Sequence, residues 1–113
     1  MIRNFFSRFA SADADTIGHE DFVQAIGDGQ VTVVDVREPN EYATGHIAEA
    51  LNMPMSRFDA GQLPDGKPIV FICQAGGRSR KALNTARSAG REETRHYAGG
   101  MNGWRARGED VAF

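Results

Sequence analysis

The chain holds a single cysteine, Cys73, and its neighbours give that thiol something to do. The apolar run Ile69-Val70-Phe71-Ile72 stops at it, and the loop Gln74-Ala75-Gly76-Gly77-Arg78 follows before a helix expected from Ser79. A run of β-branched and aromatic residues predicts a buried strand, and a Gly-Gly turn lets the backbone curl tightly around a ligand. Several main-chain N–H groups would then face one point, with the positive end of a helix dipole behind them. A thiol of ordinary pKa about 8.5 becomes a nucleophile at neutral pH in such surroundings. Cys73 is therefore the candidate nucleophile, and Gln74, Ala75, Gly76, Gly77, Arg78 and Ser79 are the candidate binding residues. Gly76 and Gly77 read as positions of positive φ or close anion approach. Arg78 either binds the anionic end of a donor or turns outward to a surface carboxylate. Ser79 reads as a helix cap whose hydroxyl also reaches the sulfur.

Other polar residues are assigned supporting parts. Asp35 and Arg37 flank the end of a second strand, where open α/β sheets place their binding crevice, and are expected to form a structural ion pair that braces the loop. His19, His46 and His96 are scattered along the chain and are read as capping or packing residues, outside the catalytic set. Met101 and Trp104 are expected to close the core. No cluster with metal-ligand spacing is present, and no cofactor is expected.

Positioning these groups takes one domain, which is what 113 residues allow. Charge is nearly balanced, 13 Lys plus Arg against 15 Asp plus Glu, without the basic stripe a nucleic-acid partner requires. No apolar run approaches the ~20 residues of a membrane span, and a cytoplasmic location is expected. One cysteine excludes an internal disulfide, so any sulfur or redox relay must pass to another molecule. At the start, Ile2, Phe5, Phe6 and Phe9 fall on one face of a short helix carrying Arg3 and Arg8. This is too short for a secretory signal, and it is expected to pack on its own domain or on a second copy in a homodimer, with a peripheral membrane contact as the alternative. Residues 1–14 are read as this segment and its connector, and 15–113 as the domain proper.

Within the domain, Phe22, Val23 and Ile26 mark a short helix ending at Gly27-Asp28-Gly29. The next run, Val31 to Val36, is too continuously apolar for a half-exposed strand and belongs in mid-sheet. A helical turn with Pro39 at its first position, a short strand before Pro54, and a turn from Leu63 to Pro68 come next. After the strand at 69–72, Ala82, Leu83, Ala86 and Ala89 recur at helical spacing up to Gly90. A strand near Thr94 to Tyr97 and a final short helix complete an α/β domain with a mainly parallel central sheet and helices on both faces.

Four motifs in order, Val34-Asp35-Val36-Arg37-Glu38, Gly45-His46-Ile47, the Cys73 loop ending Gly77-Arg78-Ser79, and Gly99-Gly100-Met101-Asn102-Gly103-Trp104, together resemble a single-domain rhodanese over residues 17–107. The resemblance implies a sulfurtransferase in which Cys73 takes a sulfane sulfur as a persulfide from a donor such as thiosulfate. The sulfur then passes to cyanide or a thiol, including a thiol carried by another protein. Two rivals remain at this point. A non-catalytic rhodanese-like adaptor would use the same surface for docking alone. A cysteine phosphatase or arsenate reductase would also use a loop thiolate, but spaces cysteine and arginine as C-x5-R, whereas Cys73 to Arg78 is C-x4-R.

Overall fold

The computed structural model describes residues 5–8 and 13–113. Four strands, β1 (Thr32–Asp35), β2 (Leu51–Asn52), β3 (Ile69–Ile72) and β4 (Thr94–His96), form one sheet in the order β2-β1-β3-β4 with every pairing parallel. Between and around them lie the helices α1 (His19–Gly27), α2 (Pro39–Tyr42), α3 (Gly77–Ser88) and α4 (Gly100–Ala106). β1 and β3 occupy the middle, with Val34 opposite Phe71 and Asp35 opposite Ile72. Both carry apolar side chains on successive residues because both faces of the sheet are covered. Val33, Val70 and Ile72 join one cluster with Phe22, Tyr97, Met101 and Trp104. Val34, Ile69 and Phe71 join the other with Ala82, Leu83 and Ala86 of α3.

The strand order sets where a ligand can enter. From β1 the chain proceeds to β2 on one side, and from β3 it proceeds to β4 on the other. Connections that leave adjacent strands in opposite directions open a crevice at their carboxyl ends. Asp35 closes β1 and Cys73 follows β3, so both stand at that crevice.

Local signals act as their chemistry dictates in most elements. Pro39 opens α2, where a missing N–H costs nothing, and Glu38 and Glu41 cap it reciprocally. Two single 3-10 turns, Met55–Arg57 and Ala60–Gln62, lie in a stretch with no periodicity to announce them. One boundary corrects the sequence reading. α3 starts at Gly77, because Gly76 takes φ 105° and becomes the N-cap, its carbonyl accepting the Arg80 N–H at 3.1 Å. Ser79 is therefore in the first turn of the helix and not its cap.

At the start of the chain, Phe5–Arg8 forms a 3-10 turn whose Phe5 and Phe6 are buried in the α1 and α4 face of the core. The Arg95 guanidinium lies 4.8 Å over the Phe6 ring. These residues pack on their own domain. Ile2, Arg3 and Phe9 of the expected amphipathic face lie outside the described residues. The first residues of the domain proper are tied down: Thr16 bridges His96 in parallel, covering the edge of β4, and Asp15 pairs with Arg80 at 3.2 Å and Arg87 at 2.5 Å. Among the described residues no helix is long and apolar enough to cross a membrane.

Candidate active site

The loop after β3 wraps the sulfur of Cys73 in hydrogen-bond donors. The Gly76 N–H donates to Sγ at 3.1 Å, the Ser79 N–H at 3.3 Å, and the Ala75 amide also contributes. The Ser79 hydroxyl lies 3.5 Å from the sulfur. Gly76 makes this curl possible twice over. Its φ of 105° is left-handed, and a Cβ there would stand 2.5 Å from the Ala98 carbonyl oxygen. Gly77 differs from the expectation of positive φ: its backbone is helical and a Cβ would meet nothing within 4 Å. Gly77 and Arg78 stand in the first turn of α3, where main-chain N–H groups have no acceptor within the helix.

Cys73 is only 1% exposed, so burial is the largest influence on its thiol and pushes its pKa up. The Ser79 hydroxyl and the amides of Ser79, Gly76 and Ala75 together outweigh that push, and the thiol is held below its ordinary value. The arrangement is a cradle for one negative sulfur at a helix N-terminus.

Beneath the loop lies the Asp35–Arg37 pair, 2.8 Å apart with both side chains at most 1% exposed. The Asp35 carboxylate accepts the Arg37 N–H as well as its guanidinium. The remaining guanidinium donors reach the carbonyls of Glu41 and Gly45 and, at 3.2 Å, the side-chain oxygen of Gln74. Gln74 in turn donates to Asn102 at 2.6 Å. Its side chain is thus spent on bracing, and only its main chain belongs to the loop's rim. The expected structural pair is present, and it ties the end of β1 to the loop and to α4.

The turn before α4 locks the other side. Met101 N–H donates to the Cys73 carbonyl at 2.8 Å and Asn102 N–H to the Gln74 carbonyl at 3.1 Å. Gly100, at φ 62°, allows this approach, since a Cβ would collide with the Gln74 carbonyl. Local sequence does not reveal this role of Gly100, because only the folded chain shows which backbone it meets.

Arg78 resolves one alternative in this structure. It turns to Glu41 of α2 in a two-pronged contact, 2.6 and 2.9 Å, and stands outside the ring of amides. This guanidinium is the main cause that lowers the Glu41 carboxyl to about 2. The histidines separate by role. His46 stacks on Tyr42 and bonds its carbonyl, and His19 bridges Tyr97 and Glu109. His96, which sequence reasoning set aside with them, lies 2.8 Å from the Ser79 hydroxyl. Met101 and Trp104 close the core as expected. Two surface hollows, of about 270 and 320 Å³, lie away from the loop and contain no residue of it.

A family model described as a rhodanese-like domain matches residues 18–107. The chain belongs to the rhodanese-like family. Its structure is similar to that of a rhodanese-related protein from Thermoplasma volcanium, with TM-score 0.78 and 32% identity over 87% of this chain and 97% of that one. It is 37% identical to a thiosulfate:glutathione sulfurtransferase of Saccharomyces cerevisiae, covering 80% of this chain and 78% of the relative. It is also 45% identical to an uncharacterized Synechocystis protein over 69% of this chain, but spans only 45% of that protein's length. The four-stranded parallel sheet flanked by helices is thus the rhodanese fold.

Proposed function

We propose that this rhodanese-like domain is a sulfurtransferase that carries a sulfane sulfur on Cys73. The observation that carries the reading is the collar of N–H groups from Ala75, Gly76 and Ser79 aimed at one sulfur atom. Thiolate Cys73 attacks the outer sulfur of thiosulfate; a new S–S bond forms, the old one breaks, and sulfite leaves with its electron pair. The terminal sulfur of the persulfide keeps a negative charge, which the loop amides and the N-terminal end of α3 would stabilise. An acceptor thiolate or cyanide then attacks that sulfur, and Cys73 departs as thiolate. No general base is required when the nucleophile is already ionised. The relatives named for thiosulfate and glutathione lend this substrate class support.

Incubating the reduced protein with thiosulfate should add the mass of one sulfur atom, and cyanide should then remove it as thiocyanate. Cys73→Ser should abolish both steps. An unchanged mass with thiosulfate, persulfides and other donors would overturn the reading. A docking adaptor is the second reading, favoured by the near-complete burial of Cys73. Partner binding that survives Cys73→Ser, in a protein that never takes up sulfur, would favour it. Hydrolysis of an aryl phosphate is not expected, since Arg78 stands on Glu41 and the loop is one residue short of a phosphate-wrapping ring.

A further inference from the structure

His96 is 1% exposed, and among the described residues its ring makes one hydrogen bond: Nδ1 lies 2.8 Å from Ser79 Oγ, while Nε2 is buried with no partner. The two ends of the ring therefore differ in what a proton would cost. A proton on Nε2 would be a buried donor without an acceptor, which is rarer and more expensive than a nitrogen lone pair left bare. A proton on Nδ1 has the serine oxygen in front of it. That choice decides the direction of the next bond. If Nδ1 carries the hydrogen, Ser79 Oγ accepts it, and the hydroxyl hydrogen is released toward its other two neighbours, the Gly76 carbonyl at 3.2 Å and Cys73 Sγ at 3.5 Å. A charged sulfur attracts the hydroxyl more strongly than a neutral carbonyl does. With the opposite tautomer the hydroxyl would point at Nδ1 and give the sulfur nothing.

We propose that His96 is a positioning residue for the nucleophile, its Nδ1–H holding the Ser79 hydroxyl in the orientation that donates to the Cys73 sulfur. The chain His96 Nδ1–H to Ser79 O–H to sulfur crosses from β4 through α3 to the end of β3, and the ring acts in its neutral form throughout. Burial lowers the imidazole pKa, and the Arg80 and Arg87 charges act in the same direction while Asp13 and Asp15 oppose them. Around the sulfur the charged groups are Arg78, turned to Glu41, and the closed Asp35–Arg37 pair beyond Gln74. None of these replaces the serine proton.

This inference rests on the reading of Cys73 as a working thiolate, and the test separates the two. Because Cys73 is the sole cysteine, the rate of alkylation by iodoacetamide against pH reports its thiol pKa alone. His96→Leu and Ser79→Ala should each raise that midpoint by about one unit, the double variant no further, and His96→Asn, whose side-chain NH2 sits where Nδ1 was, should restore it. A folded His96→Leu with an unmoved midpoint, or shifts that add in the double variant, would overturn the proposal. Should His96→Leu not fold, nitrogen-15 NMR of the parent protein decides. The neutral ring should carry its proton on Nδ1, and a proton on Nε2 would refute the arrangement. Failure of the parent protein to take sulfur from thiosulfate would instead strike the functional reading and leave the alkylation result standing.

Discussion

Two opposed effects meet at Cys73: burial disfavours the charged sulfur, and the donors around it favour it. With the net downward, sulfur uptake should fall on the acid side of a midpoint below 9.0 and be level above it, measured as initial rate against pH. At Arg78 the competition is between Glu41 and an incoming anion. Glu41 stays ionised down to about pH 2, so it would oppose a dianionic donor such as thiosulfate at every working pH. Glu41→Gln should lower KM for thiosulfate about two- to fivefold with kcat little changed. An unmoved KM would mean that Arg78 never meets the donor. The same pair has a stability consequence. Glu41 is depressed on folding, so its contribution is complete above its unfolded pKa near 4.5 and is lost as pH falls toward 2. Both side chains are about a third exposed, and solvent screening keeps the effect to about 1 kcal/mol or less. Urea midpoints of the parent and Glu41→Gln should therefore converge between pH 4.5 and 2.

The elements owe their placement to a few glycines with different duties. Gly76→Ala forces a side chain into φ 105° and against the Ala98 carbonyl, and Gly100→Ala drives one into the Gln74 carbonyl. Each should cost about 1–3 kcal/mol in chemical denaturation and disable the loop. Gly77→Ala meets open space on a helical backbone, and stability should hold or rise by about 0.5 kcal/mol. Equal losses at Gly76 and Gly77 would contradict this division. It also shows what the sequence could reveal. β3 was legible to the residue because Ile69 to Ile72 is apolar on both faces and bounded by Pro68 and the glycine loop. α2 was legible from Pro39. The start of α3 was not, since the left-handed Gly76 sits against the carbonyl of Ala98, 22 residues on, and local spacing does not show that contact. The Ser79–His96 bond escaped for the same reason: β4 brings the histidine there, and nothing in local spacing announces it.

Across the whole molecule, stability depends on buried groups outside the collar of amides around Cys73. Asp35→Ala would leave the Arg37 charge sealed in the protein without its carboxylate, a change expected to cost about 3–5 kcal/mol in urea denaturation. Phe6→Ala should cost about 3 kcal/mol, because the ring is 3% exposed in the core of its own domain. A negligible cost would indicate that Phe6 belongs to some other contact. The fold class was readable from alternating strand and helix signals, whereas the cover that Thr16 gives to the edge of β4 was not, because the polar residues around it carry no periodicity. The mutual fit of Gly76 with Ala98 and of Gly100 with Gln74 has a practical corollary for engineering. Grafting the segment 73–79 from a relative with different specificity will fail if moved alone. Residues 98–102 must travel with it as a single cassette.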